Sequence, residues 1–510
     1  MKDRVRKVRF KRNGGLLSTD TPNRQVWKIL EDELTYNHVT FLKGQAARRA
    51  QSNVHVTPVY CYSYVDDPDG ILPPEFNTAS GFLPRIKRTL KQHGYRVVVE
   101  DNTPTRPELF VPRMERIRPP VDFRWGQEGV LYQILTHNYG RIRCPTGYGK
   151  SMLIRVLCQL LPHAKIAVAT HSKDVLEQLY FEIAAAIPGV GIVTGAKKNF
   201  GRRITCYSGK SLHHAAGDED LLLVDEGHEW GTQDYIERVA RFKHARRFMF
   251  SASQERADGA HFELEGAFGD LIVDISYQDA VDHGCIVPIE VRMKDVVMDE
   301  NPADGKDDVS KERWGIWRNR VRNEIIAETV HEYPNLQKLV MVNTIEHACF
   351  LKKLLPEATL AYAEDGMTSD DRRRYIAWNL LPKDEPVMTR ERRRWLKVEF
   401  ERGNLELVIS NSVWKRGVDF KNLPVLIRGD AQDSAIADTQ IPGRVARLPG
   451  EVSEGVTPEK EVGLVIDLLD QFDTGYHRKA NRRVHRYKEF GWNVVMPAAR
   501  PSRFGQRYLF

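Results

Sequence analysis

Residues 143–151 read Arg-Cys-Pro-Thr-Gly-Tyr-Gly-Lys-Ser. A loop of this composition can hold a string of phosphates. Gly147 and Gly149 let the backbone close around an anion, with Thr146 inside the turn. Lys150 reaches the phosphate charge, and Ser151 offers a hydroxyl to Mg2+. Cys144 stands where the general pattern G-x-x-x-x-G-K-[ST] has its first glycine. A second centre lies at residues 221–228, Leu-Leu-Leu-Val-Asp-Glu-Gly-His. An apolar strand ending in two carboxylates puts Asp225 and Glu226 at the carboxyl edge of a parallel sheet, where ligands bind. There Asp225 would hold Mg2+ through water, and Glu226 would orient and deprotonate the attacking water. Each centre alone has a plain structural explanation, a glycine turn or a solvated acidic turn. Both on one chain, in this order, point to hydrolysis of a nucleoside triphosphate.

Such residues need a sheet to hold them. Short apolar runs at Ile166–Thr170, Leu221–Val224 and Arg247–Phe250 alternate with helical spacing, as in Met152, Leu153, Val156, Leu157 and Leu160. A second series follows a polar stretch at Asn301–Ser310, with strands expected at Lys338–Val342, Glu406–Ser410, Val425–Ile427 and Val462–Asp467. Alternating strands and helices predict parallel sheets covered on both faces. The fold class expected is α/β: two tandem parallel-sheet domains after a small N-terminal α/β domain. Five prolines between Asn102 and Pro120 exclude a helix or a central strand, and the stretch reads as a linker. The expected boundaries are residues 1–118 for an accessory domain and linker, 119–290 for the ATP-binding domain, 291–475 for a second domain and 476–510 for a basic extension.

The 510 residues carry 76 Lys and Arg against 69 Asp and Glu, a net +7 that permits a polyanionic partner without demanding one. With 41% hydrophobic residues the chain is neither disordered nor fibrous. No apolar run reaches the length of a membrane span, and the basic start has no apolar segment of a secretory signal behind it. The six cysteines include no C-x-x-C pair, which disfavours a disulfide framework and a zinc knuckle and fits a reducing compartment.

Further motifs follow in a fixed order. Arg124-Trp125-Gly126-Gln127, Ala169-Thr170-His171-Ser172 with Glu177-Gln178, Ser251-Ala252-Ser253, Met341-Val342-Asn343-Thr344, Arg416-Gly417-Val418-Asp419 and Gln440-Ile441-Pro442-Gly443-Arg444-Val445-Ala446-Arg447 resemble the Q-motif and motifs Ia, III, IV, V and VI of superfamily 2 helicases. The resemblance covers roughly residues 121–470 and implies that the two tandem parallel-sheet domains are RecA-like. It implies that Gln127 contacts adenine and that residues 169–172 touch a nucleic-acid backbone. His228, Ser251, Ser253 and Gln440 would couple hydrolysis to movement. Gly417 and Asp419 would join the nucleotide site, and Arg444 and Arg447 would reach the γ-phosphate. Two arginines three apart share one helical face, and their planar, permanent charge suits that task. Asn411 and Ser412 depart from the family where motif V often has threonine.

Within the superfamily the chain resembles the UvsW-type branch-migration helicases of large phages and XPB- and RecG-like enzymes. Gly227 replaces the alanine of DEAD and DEAH proteins, Ala280–Pro288 resembles the connector before the second motor domain, and Leu72-Pro73 to Gly94, a Pro-led helix followed by Val97-Val98-Val99 and Asp101, resembles the small α/β domain that precedes the motor. The resemblance implies an ATP- and Mg2+-dependent DNA motor travelling 3′ to 5′ on forks, D-loops and Holliday junctions, in recombination, repair or replication. It also implies a monomeric motor unit in a bacterial or phage-infected cytoplasm, with recombination or replication proteins as partners. An RNA-remodelling DExH enzyme and the motor subunit of a larger complex are the alternatives.

Basic clusters at residues 4–12, 372–374, 390–394 and 478–486 suit phosphates or merely a solvated face. Residues 5–10 also alternate in the manner of an edge strand. His213 and His214 have no partner ligands at metal-binding spacing, and Trp414 reads as a core residue more readily than as a base-stacking one.

Overall fold

In a computed structural model the described residues are 6–41, 50, 52, 54–65, 74–104, 106–254, 258–411, 414, 420, 423–433, 438, 442–448 and 460–498. The chain divides into two compact units, Met1–Pro145 with Gly149–Ser276, and Thr146–Tyr148 with Tyr277–Phe510.

The first unit opens with strands β1 (Arg6–Asn13), β2 (Leu16–Thr19), β3 (Thr35–Phe41), β4 (Val54–Tyr60), β5 (Tyr62–Val65), β6 (Glu75–Ala79) and β7 (Tyr95–Asp101). Five of them form a sheet in the order β5-β6-β2-β1-β7, while β3 and β4 pair separately. In β1, Val8 and Phe10 point into the core and Arg9 and Lys11 point out, as the alternation requires. The edge-strand expectation is corrected: β1 is paired on both sides, antiparallel to β2 and parallel to β7. Alternation reports which face is buried and says nothing about pairing. Within the stretch where a Pro-led helix is expected, strand β6 comes first and the helix is Leu83–Gln92, with Pro84 in its first turn. Leu72 and Pro73 lie outside the described residues.

The same unit continues with β8 (Tyr139–Arg143), β9 (Ile166–Thr170), β10 (Gly191–Val193), β11 (Ile204–Ser208), β12 (Leu221–Asp225), β13 (Arg246–Ser251) and β14 (Leu271–Asp274). They form a seven-stranded sheet in the order β10-β11-β9-β12-β13-β8-β14, and every pairing is parallel. All five residues of β12 are buried, as expected of a strand with helices on both faces. Each fully buried Leu or Val contributes about 1.5–3 kcal/mol relative to exposure. The N-terminal sheet docks here through Arg85, which holds both oxygens of Glu265 at 2.7 and 2.8 Å. The proline-rich stretch forms only two short 3-10 turns, Pro107–Phe110 and Met114–Arg116. It packs nonetheless: Arg113 donates to the Leu160 carbonyl at 2.9 Å, and Arg118 accepts from the Gln159 amide at 2.6 Å.

The second unit has β15 (Ile289–Val296), β16 (Lys338–Met341), β17 (Thr359–Ala361), β18 (Leu407–Ser410), β19 (Val425–Arg428), β20 (Gly463–Asp470) and β21 (Asn493–Val495). Their order is β17-β18-β16-β19-β20-β15-β21, again with every pairing parallel. Two parallel sheets with flanking helices and a smaller N-terminal α/β sheet are the architecture the sequence predicts. No helix among the described residues is long and apolar enough to cross a membrane.

The helix Thr474–Glu489 packs its inner face on this sheet through charge. Arg483 is fully buried and grips Asp467 at 2.8 and 2.9 Å. Arg428 is fully buried and donates to Asp438 at 2.8 Å, and the Tyr487 hydroxyl donates to Asp467 at 2.7 Å. Burial would raise the Asp467 carboxyl, but Arg483 and Arg428 outweigh it and pull it down to about 2. The sequence reading offered phosphate contacts or a solvated face for residues 478–486. Arg482, Arg483 and Arg486 are corrected to a third role, as partners of Asp433, Asp438 and Asp467.

Candidate active site

The phosphate-loop sequence lies between β8 and the helix Lys150–Leu160. Cys144 is fully buried and its amide donates to the Ser251 carbonyl at 3.1 Å, which ties the loop to the end of β13. Burial pushes its thiol up to about 12, so it serves as a small apolar side chain. Gly147 and Gly149 have φ of 90° and 106°. At Gly149 the requirement is double, because a Cβ would also lie 2.8 Å from the Gln127 amide nitrogen. Gly149 caps the helix with no side-chain hydrogen bond, leaving the first-turn amides of Lys150 and Ser151 to an anion. The Lys150 ammonium is buried, and its contacts to the Cys144 and Pro145 carbonyls are long, 3.4 and 3.5 Å.

Gln127 begins the helix Gln127–Thr136 and is buried. Its carbonyl accepts from the Arg124 amide at 2.9 Å, which fixes the side chain against Gly149. The glutamine and the loop are thus adjacent.

Asp225 ends β12 and is almost fully buried. Burial, then Glu226, raise its carboxyl above the ordinary range, and Lys150 opposes them. A carboxylate so placed is suited to a cation. Glu226 sits in left-handed backbone, φ 52° and ψ 48°, a conformation that costs a non-glycine residue about 1 kcal/mol or more and concentrates at functional sites. It turns the chain so that the Glu226 side chain remains partly open while Asp225 stays inside.

His228 is buried, and its Nδ1 lies 2.7 Å from the Ser251 hydroxyl and 3.5 Å from Glu226 Oε2. The Ser251 hydroxyl donates to the Ser253 carbonyl. Its proton is therefore committed, and the network assigns the imidazole proton to His228 Nδ1. The acidic turn and the end of β13 are joined by one hydrogen-bonded chain, His228–Ser251–Ser253, with Glu226 Oε2 beside the imidazole at 3.5 Å. Gly227 has a steric reason: a Cβ there would stand 2.8 Å from both Cβ and Cε of Met249.

One contact escaped the sequence reading. Glu229 Oε2 lies 3.2 Å from Nδ1 of His171, linking the acidic turn to the segment after β9. A second acid two residues beyond His-adjacent Gly227 was the available signal. Thr170, at the end of β9, has a buried hydroxyl without a hydrogen bond.

In the second unit Arg444 is buried within a 3-10 turn, Pro442–Ala446, and Arg447 follows it. The helical face expected for the pair is corrected to this tighter turn, in which residues three apart still eclipse. The Lys460 ammonium donates to the Arg447 carbonyl at 3.0 Å, and burial, then Arg447, push it down to about 7. Asn343 donates to the Asp430 carbonyl at 2.8 Å, and Thr344 caps the helix Ile345–Leu354. Trp414 is buried against Phe400 and Phe420, with ring centroids at 5.5 and 5.0 Å. Gly417, Asp419 and Gln440 lie outside the described residues, as do Arg4 and Val5. No group of three or more His, Cys, Asp or Glu side chains placed to hold a metal ion occurs among the described residues.

A family model described as the res subunit of type III restriction enzymes matches residues 121–256, and one described as the helicase conserved C-terminal domain matches residues 321–449. Together they take in slightly more than half of the chain. The chain belongs to the superfamily 2 helicases, ATP-hydrolysing motors with two RecA-like domains. Comparison with curated protein sequences finds no match. Among solved structures it is similar to Saccharomyces cerevisiae Dbp5 bound to RNA and ADP BeF3, at 15% identity over 73% of this chain and 90% of that chain, TM-score 0.50. A fragment of an HsdR subunit of a type I restriction enzyme from Vibrio vulnificus YJ016 is similar at 15% identity over 77% and 72%, TM-score 0.51. T4 UvsW is similar at 14% identity over 96% and 99%, TM-score 0.41. At these identities the likeness is one of fold.

Proposed function

We propose that this helicase is a DNA motor that remodels branched DNA, translocating 3′ to 5′, of the UvsW type. The observation that carries the motor chemistry is the joining of Lys150, Asp225, Glu226 and the His228–Ser251 pair in one unit. The match to a DNA restriction subunit over residues 121–256 favours DNA over RNA. In this reading Lys150, Ser151 and the Thr146–Gly149 backbone hold the phosphates, and Gln127 reads adenine. Gly417 and Asp419 join the nucleotide site, and Arg444 and Arg447 reach the γ-phosphate. Asp225 and Ser151 fit Mg2+, since a buried carboxylate and a hydroxyl at a helix start are hard oxygen donors. Mg2+, when bound, neutralises phosphate charge. Glu226 takes the proton of the attacking water. His228 and Ser251 hold that carboxylate in place, and with Ser253 and Gln440 they carry the change to the nucleic-acid grip.

The expected outcome is ATPase activity stimulated by DNA more than by RNA, and strand displacement on forks, D-loops and Holliday junctions exceeding that on linear duplex. Lys150→Ala abolishes both. Stimulation by RNA alone would overturn the substrate assignment and leave an RNA-remodelling enzyme. Activity requiring an added subunit would instead favour the motor component of a larger complex.

A further inference from the structure

The helix Thr474–Glu489 has no acidic residue from Thr474 to Lys488, although it carries eight His, Lys or Arg side chains over that length. Four of its cations are neutralised by acids from elsewhere in the unit: Arg483 by Asp467, Arg486 by Asp438, Arg482 by Asp433 and Lys479 by Glu312. Its outer stripe is not. Thr474, Arg478, Asn481, His485 and Lys488 follow each other at intervals of three or four residues, and all are exposed. Among the described residues neither Arg478 nor Lys488 has an ion pair. The single acid at the end, Glu489, takes His485 at 3.1 Å. A helix face that merely meets water intersperses charges of both signs, because i,i+4 opposite pairs stabilise it and like charges do not. This stripe keeps one sign and lines a shallow groove of about 410 Å3 with Thr474, His477, Arg478, Asn481, Arg482 and His485.

We propose that this stripe is a contact for the phosphate backbone of the nucleic acid. The inference rests on the proposed function and adds to it a surface that belongs to none of the helicase motifs. At 1.5 Å per residue, Arg478 and Lys488 stand about 15 Å apart along the helix axis, far enough to meet separate phosphates. Asn481 and Thr474 add hydrogen-bond donors with no preference for a base, so the contact positions the strand and does not read its sequence.

The test is binding of a fluorescein-labelled DNA fork to the full chain, by anisotropy, from 50 to 200 mM salt. The double variant Arg478→Gln/Lys488→Gln removes two phosphate contacts and leaves the buried pairs intact. Each lost contact lowers the salt dependence by about one, so the affinity lost between 50 and 200 mM becomes about tenfold smaller than in the wild type. ATPase activity without DNA and the melting temperature stay unchanged. The charge-preserving pair Arg478→Lys/Lys488→Arg keeps the wild-type salt dependence. A double Gln variant with wild-type affinity and salt dependence overturns the proposal while leaving the motor reading standing. A wild-type chain that binds neither DNA nor RNA in a salt-dependent manner overturns the motor's substrate, and this contact with it.

Discussion

Gly227→Ala tests the geometry of the acidic turn most directly. The glycine has no positive φ, so alanine meets no backbone barrier there; the obstacle is Met249. A Cβ would stand 2.8 Å from Met249 Cε and 3.0 Å from Sδ, which a flexible side chain can relieve. It would also stand 2.8 Å from Met249 Cβ, which is fixed by the backbone of β13. Either β13 or the turn must shift. Overpacking of this kind costs about 1–3 kcal/mol. For a unit of this size each kcal/mol lowers the melting temperature by about 2–4 °C, giving a fall of about 2–12 °C. The turn also sets Glu226 against His228 and Ser251, and a displacement near 1 Å in a catalytic group can cost up to about a hundredfold in rate. Calorimetry and steady-state ATPase measurements would show a lower melting temperature and a lower kcat with KM for ATP little changed. Adding Met249→Ala removes Cε and Sδ but keeps the Cβ, so it restores part of the loss. A Gly227→Ala variant with wild-type stability and kcat would refute the reasoning.

Glu226→Gln should bind ATP with near wild-type affinity and fail to turn it over; wild-type turnover would remove Glu226 from the role of base. For acid stability, Asp467 has a folded-state pKa drawn down to about 2, so its ion pairs contribute fully above about pH 4 and are lost as pH falls through about 2. The contribution is about 2 kcal/mol, and Asp467→Asn should lose stability at pH 7 and show a flatter decline in urea midpoint between pH 4 and 2; an unchanged decline would assign the acid sensitivity elsewhere. Cys144, Cys158 and Cys349 are buried with thiols pushed up to about 12, so iodoacetamide at pH 8 should leave them unmodified in the native protein and alkylate them after denaturation. Rapid native labelling, read by mass spectrometry, would contradict that burial.

The sequence by itself carried the parts of this protein that are local. Period and strand chemistry located β9, β12 and β13 of the first parallel sheet and β16, β18, β19 and β20 of the second, with Ile166–Thr170 matching β9 and Leu221–Val224 falling within β12. The glycines, lysine and paired acids of the first unit were legible because phosphate binding needs particular residue types at short spacing. Distance along the chain hid the rest. That His228 donates a hydrogen bond to Ser251 depends on β12 and β13 lying side by side. That β1 is an inner strand depends on β7, some ninety residues away. The cations of Thr474–Glu489 looked alike in sequence, and only the fold separates the arginines that meet Asp433, Asp438 and Asp467 from Arg478 and Lys488, which face outward. A charge's role is set by what the low-dielectric interior places beside it, and that neighbour is chosen by tertiary packing rather than by the residue's own stretch of chain.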